Sequence, residues 1–302
     1  MKVVCLSGGV GGAKLARGLY DVLGPELAVV VNVADDLEVL GLSVSPDLDS
    51  VLYALAGLND EERGWGRVGE TWRTLESAKA WGADAWFQLG DLDLGLHLAR
   101  TEALAGGKPL SAATRALSAA VGVTATILPA SDDRVRTHVV TPAGTFAFQE
   151  WFVARRHTDD VDDLLYDGAD RAAAAPGVLE AIEAADALVL APSNPYVSLA
   201  PILAVAAIRD AIAARRVPCV AVSPLIGGRS VKGPLDRMLS RMAGGTTPAH
   251  VAGCYPGLLD ALVIDAADAP AEAPLPLVVT ETLMDDRAAS RRVAETVLEV
   301  AA

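Results

Sequence analysis

Met1-Lys2-Val3-Val4-Cys5-Leu6-Ser7-Gly8-Gly9-Val10-Gly11-Gly12-Ala13-Lys14-Leu15 opens the chain, and its reading decides the fold. A short apolar run ends in a turn with four glycines, and an amphipathic stretch through Leu15, Leu19, Val22 and Leu23 follows at once. That order predicts a strand, a loop and a helix start. Glycines let backbone approach an anion closely, and a helix N-terminus offers free N–H groups at the positive end of its dipole. The expected cargo is a phosphorylated ligand, a nucleotide above all. Two standard fingerprints fail here. Counting on from Gly8 reaches Ala13, Lys14 and Leu15, without the hydroxyl of G-x-x-x-x-G-K-[ST], and Gly9-x-Gly11 meets Lys14 where G-x-G-x-x-G needs its third glycine. A phosphate cradle of another kind remains, or a turn whose glycines serve packing alone.

A length of 302 residues suits one large α/β domain or a domain with a sizeable insertion. Hydrophobic residues make up 52%, enough for a full core, yet no apolar run approaches the roughly 18–20 residues of a membrane span. The first residues run straight into a strand, without the layout of a signal peptide. Cys5, Cys219 and Cys254 form no C-x-x-C pair, and Cys5 and Cys219 fall in expected buried strands. These features predict a cytoplasmic, reduced protein without a cysteine metal site. The net charge is −14, and no lysine-rich block or basic–aromatic stripe is present, so nucleic acid and anionic membranes are not expected partners. Phosphate binding stays open, because local charge decides it. A metal ion would supply the positive charge this acidic chain lacks.

Strand-like runs occur at 2–6, 27–33, 85–89, 125–128, 187–191, 218–222 and 260–264, and helical patterns at 11–23, 69–81, 111–121, 176–185, 199–214, 233–243 and 286–300. This alternation predicts an α/β fold with a doubly wound, mostly parallel, Rossmann-like sheet. Continuous apolar runs such as Ala187-Leu188-Val189-Leu190-Ala191 fit strands covered on both faces. The middle differs: Thr137–Thr141 and Thr145–Gln149 flank Pro142-Ala143-Gly144 as a β-hairpin. The expected organisation is a nucleotide-binding core of 1–90 and 176–302, with 91–175 an inserted helical and hairpin subdomain covering the substrate.

Ligands of open α/β sheets bind outside the carboxyl ends of the strands. Five strand ends deliver polar or glycine-rich loops there: the glycine loop with Lys14, Asn32 to Asp36, Gln88 to Asp93, Pro192-Ser193-Asn194-Pro195, and Ser223 to Gly228 with Lys232 beyond. Asp35 and Asp36 follow a strand, and Asp47 and Asp49 precede the helical run Ser50 to Leu55. One aspartate from each segment would suit Mg²⁺, a hard ion that takes few carboxylates plus water and phosphate oxygens. Alternatively, Asp47 or Asp49 caps the helix. Asp91 and Asp93 with His97 suit a polar substrate, a metal, or simply an acidic helix start. Trp65, Trp72, Trp81 and Trp86 read first as core, with stacking on a flat ring as the alternative.

Together Ser7 to Leu15, Val31-Asn32-x-x-Asp35-Asp36, Ser45-Pro46-Asp47-Leu48-Asp49-Ser50-Val51-Leu52-Tyr53, Leu89-Gly90-Asp91-x-Asp93, Leu128 to Asp133, Phe148-Gln149-Glu150-Trp151, Ala191 to Pro195 and Val222 to Gly228 resemble the 2-phospho-L-lactate transferase family of deazaflavin coenzyme biosynthesis. The likeness runs in order to about residue 240. Gly11 or Gly12 stands where the family often has threonine, so the loop lacks that hydroxyl. The resemblance implies a transferase that joins the deazaflavin Fo to a phosphorylated three-carbon acid carried on guanosine diphosphate. The ribityl terminal hydroxyl of Fo attacks the phosphorus bearing the acid, and GMP leaves. The bacterial branch uses an enolpyruvyl rather than a lactyl donor, and the Ala-rich composition leans toward it.

On that resemblance, Gly8, Gly9, Gly11, Gly12, Lys14, Ser193, Asn194 and Ser223 hold the nucleotide. Asp35 and Asp49 bind Mg²⁺, Asp49 or Asp47 accepts the hydroxyl proton, and Asp49, Gln88, Asp91, Asp93 and His97 face Fo. A homodimer is the expected assembly. The competing readings are a non-catalytic nucleotide-sugar-binding regulator of the same fold and an NAD-dependent oxidoreductase, the latter weakened by its broken fingerprint.

Overall fold

Val3–Ser7 (β1) shows why the sheet forms where it does in the computed structural model, which describes residues 1–302. Its alternate side chains enter opposite cores. Val3 and Cys5 pack on the face of α1 (Gly9–Leu23) and α2 (Pro46–Ala56), whereas Val4 and Leu6 pack on the other. All four are buried, so the strand is covered on both sides. The same holds for β2 (Leu27–Val31), which pairs with β1 in parallel.

The remaining central strands are β3 (Thr126–Pro129), β4 (Ala187–Leu190), β5 (Cys219–Val222), β6 (Ala261–Asp265) and β7 (Leu277–Thr280). All seven run parallel, in the order β7-β6-β5-β4-β1-β2-β3. This is the doubly wound order of Rossmann folds, and it reverses between β1 and β4. Helix α1 packs against α2 and against the C-terminal helix Arg287–Val300 on one face. Helices Val178–Glu183, Ala206–Ala213, Leu235–Met242 and Pro248–Gly253 supply the other core.

Three further helices, α3 (Arg73–Ala80), α4 (Asp91–Ala105) and α5 (Leu110–Ala120), lie between α2 and β3. Within 91–175, α4 and α5 lead into β3, which joins the central sheet. A separate antiparallel sheet follows, with Arg136–Thr141 paired to Gly144–Ala147 on one side and Asp163–Asp167 on the other. The expected hairpin is therefore present, with a third strand from a charged stretch.

Two expectations about strands fail. Residues 85–89 form no strand: only Ala85 and Leu89 are buried there, and Leu89 packs against Val39 and Val44 of a small hairpin. The seventh strand is instead β7, whose proline-rich approach (Pro270, Pro274, Pro276) reads as loop and whose edge position leaves it only partly buried. The apolar run 199–214 is two helices, because Val205 is extended at φ −72° and ψ 102°. No single helix is long and apolar enough to cross a membrane.

Candidate active site

The sheet's order reversal brings the loops after β1 and β4 together. Ser193 accepts the Gly8 N–H at 3.1 Å and donates to the Gly8 carbonyl at 2.7 Å, tying one loop to the other. Three of the four glycines leave no room for a Cβ, and Gly9 is needed for its backbone angle. A Cβ on Gly11 would lie 2.7 Å from the Pro192 carbonyl oxygen, and one on Gly12 would collide with the hydroxyls of Ser7 and Ser193. A Cβ on Gly8 would sit 2.7 Å from Ser198 Cβ, and Gly9 takes a left-handed φ of +66° before α1 continues. Packing thus accounts for the glycines, and it also aims the start of α1 at the switch point.

Asn194 serves its own turn: its side-chain carbonyl accepts the N–H groups of Tyr196 at 2.9 Å and Val197 at 3.4 Å. Ser223 is buried at the end of β5, its hydroxyl accepting the Leu225 N–H at 3.3 Å. Lys14 projects elsewhere, donating to the Met284 carbonyl. It lines a small cavity with Val10, Ser50, Tyr53 and Trp65, where burial and the neighbouring Lys232 lower its pKa. A broader hollow lies between Arg215, Pro218, Asp260 and Pro276, at the amino ends of β5 to β7 and so at the opposite sheet edge.

Beside the switch point sits a group of buried carboxylates. Asp47 accepts the Gly9 N–H at 2.7 Å on one oxygen and the Asn32 amide at 3.0 Å on the other. It therefore joins the glycine loop to the end of β2 and does not cap its own helix. α2 begins with Ser45 as an N-cap that forms no side-chain cap. Asp35 is 5% exposed, and its Oδ1 has no hydrogen-bond partner. The Oδ1 of Asp36 is likewise unpartnered, while its Oδ2 accepts the Ser45 hydroxyl at 2.8 Å. Burial raises all three acids. Asp36 reaches about 7 and Asp47 about 6, and Asp35 rises well above the carboxylate range as the Asp47 charge adds to desolvation.

Asp49 is held differently. Both its oxygens meet the guanidinium of Arg100, at 3.1 Å for Nη1 and at closer range for Nη2. His97 Nδ1 lies 3.7 Å from Asp49 and 3.4 Å from Arg100, and burial lowers its pKa. The sequence reading missed Arg100, although a signal exists: Asp93, His97 and Arg100 recur at four and three residues along one face of α4. Asp93 accepts the Tyr53 hydroxyl at 2.7 Å, so α2 and α4 are joined twice.

The other acids near 90 are largely architectural. Asp91 accepts the Thr71 hydroxyl and the N–H groups of Arg73 and Thr74, capping α3. Glu70 returns the favour, accepting the N–H groups of Leu92 and Asp93 at the start of α4. Gln88 is exposed beside them.

Arg100 lies beside Asp49 and Asp36, and Arg136 beside Asp36 and Asp35, while Asp47 has no cationic neighbour, so full ionisation of the four acids leaves two negative charges in a buried place. One divalent cation would neutralise that excess. The partnerless oxygens of Asp35 and Asp36 are hard donors of the kind Mg²⁺ takes. Asp35 offers such an ion an unpartnered oxygen, but no three acidic or histidine side chains converge on it, so water and phosphate oxygens would have to complete its shell. At Asp49 the ion fits only if the carboxylate shares or exchanges the Arg100 guanidinium.

A Rossmann-ordered sheet with a glycine loop and an acidic group at its switch point places this chain among the doubly wound α/β proteins, whose ligands sit at that point. Residues 3–284 match the family model described as 2-phospho-L-lactate transferase CofD. A phosphoenolpyruvate transferase of Kitasatospora aureofaciens is 43% identical, over 100% of this chain and 98% of its own. Another, of Streptomyces griseus, is 44% identical over 89% of this chain and 87% of its own. A solved structure described as a member of the upf0052 family, from Bacillus halodurans, has the same fold at a TM-score of 0.64 and 18% identity, covering 98% of this chain and 99% of that one. The chain belongs to the 2-phospho-L-lactate transferase family and is a transferase. The regulator and oxidoreductase readings are set aside.

Proposed function

We propose that this enzyme transfers a phosphoenolpyruvyl group to the deazaflavin Fo from a donor in which that group's phosphate is the outer phosphate of guanosine diphosphate, so that GMP is released. The enolpyruvyl donor is preferred over the lactyl one because relatives at 43% and 44% identity carry the name phosphoenolpyruvate transferase. The single observation that supports nucleotide chemistry here is the buried carboxylate group built directly against the glycine loop through the Asp47 to Gly9 contact.

In this reading the start of α1 and the Ser193-Asn194 turn receive the nucleotide phosphates. Asp35 and Asp49 would hold Mg²⁺, and the ion would supply positive charge opposite the diphosphate. Asp47, raised to about 6, is suited to accept the proton of the attacking ribityl hydroxyl near neutral pH. Asp93 and His97 on α4, with Gln88 at its approach, face Fo, and Asp91 acts by fixing α3 against α4. The antiparallel sheet carries Thr137, and the helical turn after it carries Gln149, toward Asp35, and together they exclude water from it. The three free cysteines suit work in the reducing cytoplasm.

The test is mass spectrometry of the product formed from Fo with Mg²⁺ and either the enolpyruvyl or the lactyl guanosine-diphosphate donor. A phosphodiester-linked deazaflavin with release of GMP is expected, faster with the enolpyruvyl donor. No such product with either donor would overturn the assignment.

A further inference from the structure

Arg100 is an unusual residue to find at a site that would hold a cation. It is 2% exposed, it projects from α4, and both arms of its guanidinium lie on Asp49. Its other contacts are weak: Ser43 carbonyl and His97 Nδ1, each 3.4 Å from Nη1. Its Nε has no partner at all. A buried ion pair contributes little net stability, and one with an orphaned N–H contributes less, so stability alone does not explain this one.

Its placement has an electrostatic consequence. Among the acids grouped here, Asp49 alone has both oxygens met by a cationic side chain, whereas Asp35 and Asp36 each keep one oxygen without a partner. We propose that Arg100 is the resident counter-ion of Asp49, and that a divalent cation must loosen it to reach that carboxylate. The inference rests on the metal reading above. A buried guanidinium beside the carboxylate opposes a second cation, because like charges repel strongly where water is scarce. The free enzyme then binds its ion weakly. When a diphosphate arrives, its negative charges offset that repulsion, and the ion enters with the nucleotide. Arg100 is a positioning residue in this account. It sets when the metal binds and touches no reacting atom.

The experiment uses Mn²⁺ as the probe. Free Mn²⁺ is titrated by electron paramagnetic resonance against the wild type, Arg100→Gln and Arg100→Lys, each with and without GDP, and melting curves check folding. Without GDP, Arg100→Gln should bind Mn²⁺ about tenfold more tightly than the wild type or better, since the opposing charge is gone. Arg100→Lys should fall between them, because an ammonium lacks the two-pronged grip on the carboxylate. With GDP the differences should shrink. A purely structural ion pair would lower the melting temperature without tightening Mn²⁺. A folded Arg100→Gln protein that binds Mn²⁺ no more tightly than the wild type overturns the inference and leaves the metal reading standing. If Arg100→Gln does not fold, the Arg100→Lys titration decides, and no tightening there overturns it equally. If the wild type takes up no Mn²⁺ even with GDP, the metal reading falls and the inference falls with it.

Discussion

Asp35 and Asp49 differ in what their removal would do. Asp35→Asn and Asp49→Asn should each cut turnover by roughly two orders of magnitude or more, because losing one metal or oxyanion contact typically costs about 3 kcal/mol of transition-state stabilisation. Their folding should diverge. Asp35 is a buried acid with an unpartnered oxygen and a raised pKa, so Asn removes a desolvated charge and should not lower stability. Asp49→Asn strands the buried Arg100 charge and should cost roughly 3 kcal/mol in denaturant unfolding. Normal activity in Asp35→Asn at saturating Mg²⁺ would remove that residue from the mechanism. Asp36 carries a pH prediction. Its pKa is raised from 3.8 to about 7, so the folded protein holds that proton more tightly than the unfolded chain. The stabilisation is complete below the unfolded value and is lost as pH rises through the folded one. In EDTA, Asp36→Asn should therefore gain roughly 2 kcal/mol relative to the wild type between pH 5 and pH 8. An equal effect at both pH values would contradict it. Most of these acids could be picked out from sequence, because strand ends mark them. Their partners could not. The Asp47 to Gly9 bond spans two loops, and Arg100 meets Asp49 across α2 and α4, which no local pattern encodes.

Among the elements, α1 separates two uses of glycine. Gly18 lies where α1 crosses the C-terminal helix, and a Cβ there would collide with the Ser290 carbonyl. Gly11 faces the Pro192 carbonyl at the switch point. Gly18→Ala should lower the melting temperature while leaving GDP affinity in calorimetry nearly unchanged, because its strain is confined to the helix crossing. Gly11→Ala should lower both, since backbone cannot yield cheaply and the loop itself must move. Equal GDP affinity in Gly11→Ala and the wild type would mean that the glycine loop takes no part in binding the nucleotide. Helices with strong periodicity, such as 11–23 and 286–300, are legible because burial repeats along them. The extent of α2 was less so: its first turn holds Pro46, Asp47 and Asp49, which read as loop until Pro46 is recognised as a helix start. Residues 85–89 have the composition of a strand but pair with none, and Leu89 instead packs its side chain on Val39 and Val44.

Across the whole molecule, parallel order follows from alternating strands and helices, and the position of the site follows from where that order reverses. What composition cannot reveal is which distant segments close over that point. Thr137 from the antiparallel sheet and Gln149 from the helical turn after it approach Asp35, and Arg136 reaches the Val33 carbonyl at 3.4 Å. Those contacts join a separate sheet to the end of β2, so the two should respond together when a ligand binds. Hydrogen exchange with and without GDP and Mg²⁺ tests this. Protection should rise in 8–12, 32–36 and 192–198, which surround the switch point, and also in 136–149, whose residues reach Asp35 without belonging to the central sheet. The hollow at Arg215 to Pro218 and Pro276 lies at the amino ends of the strands and should show no change. Protection confined to 8–12 and 192–198 would make the antiparallel sheet a bystander. Protection centred on 215–218 would put the nucleotide at the wrong edge of the sheet and undo the account of the site.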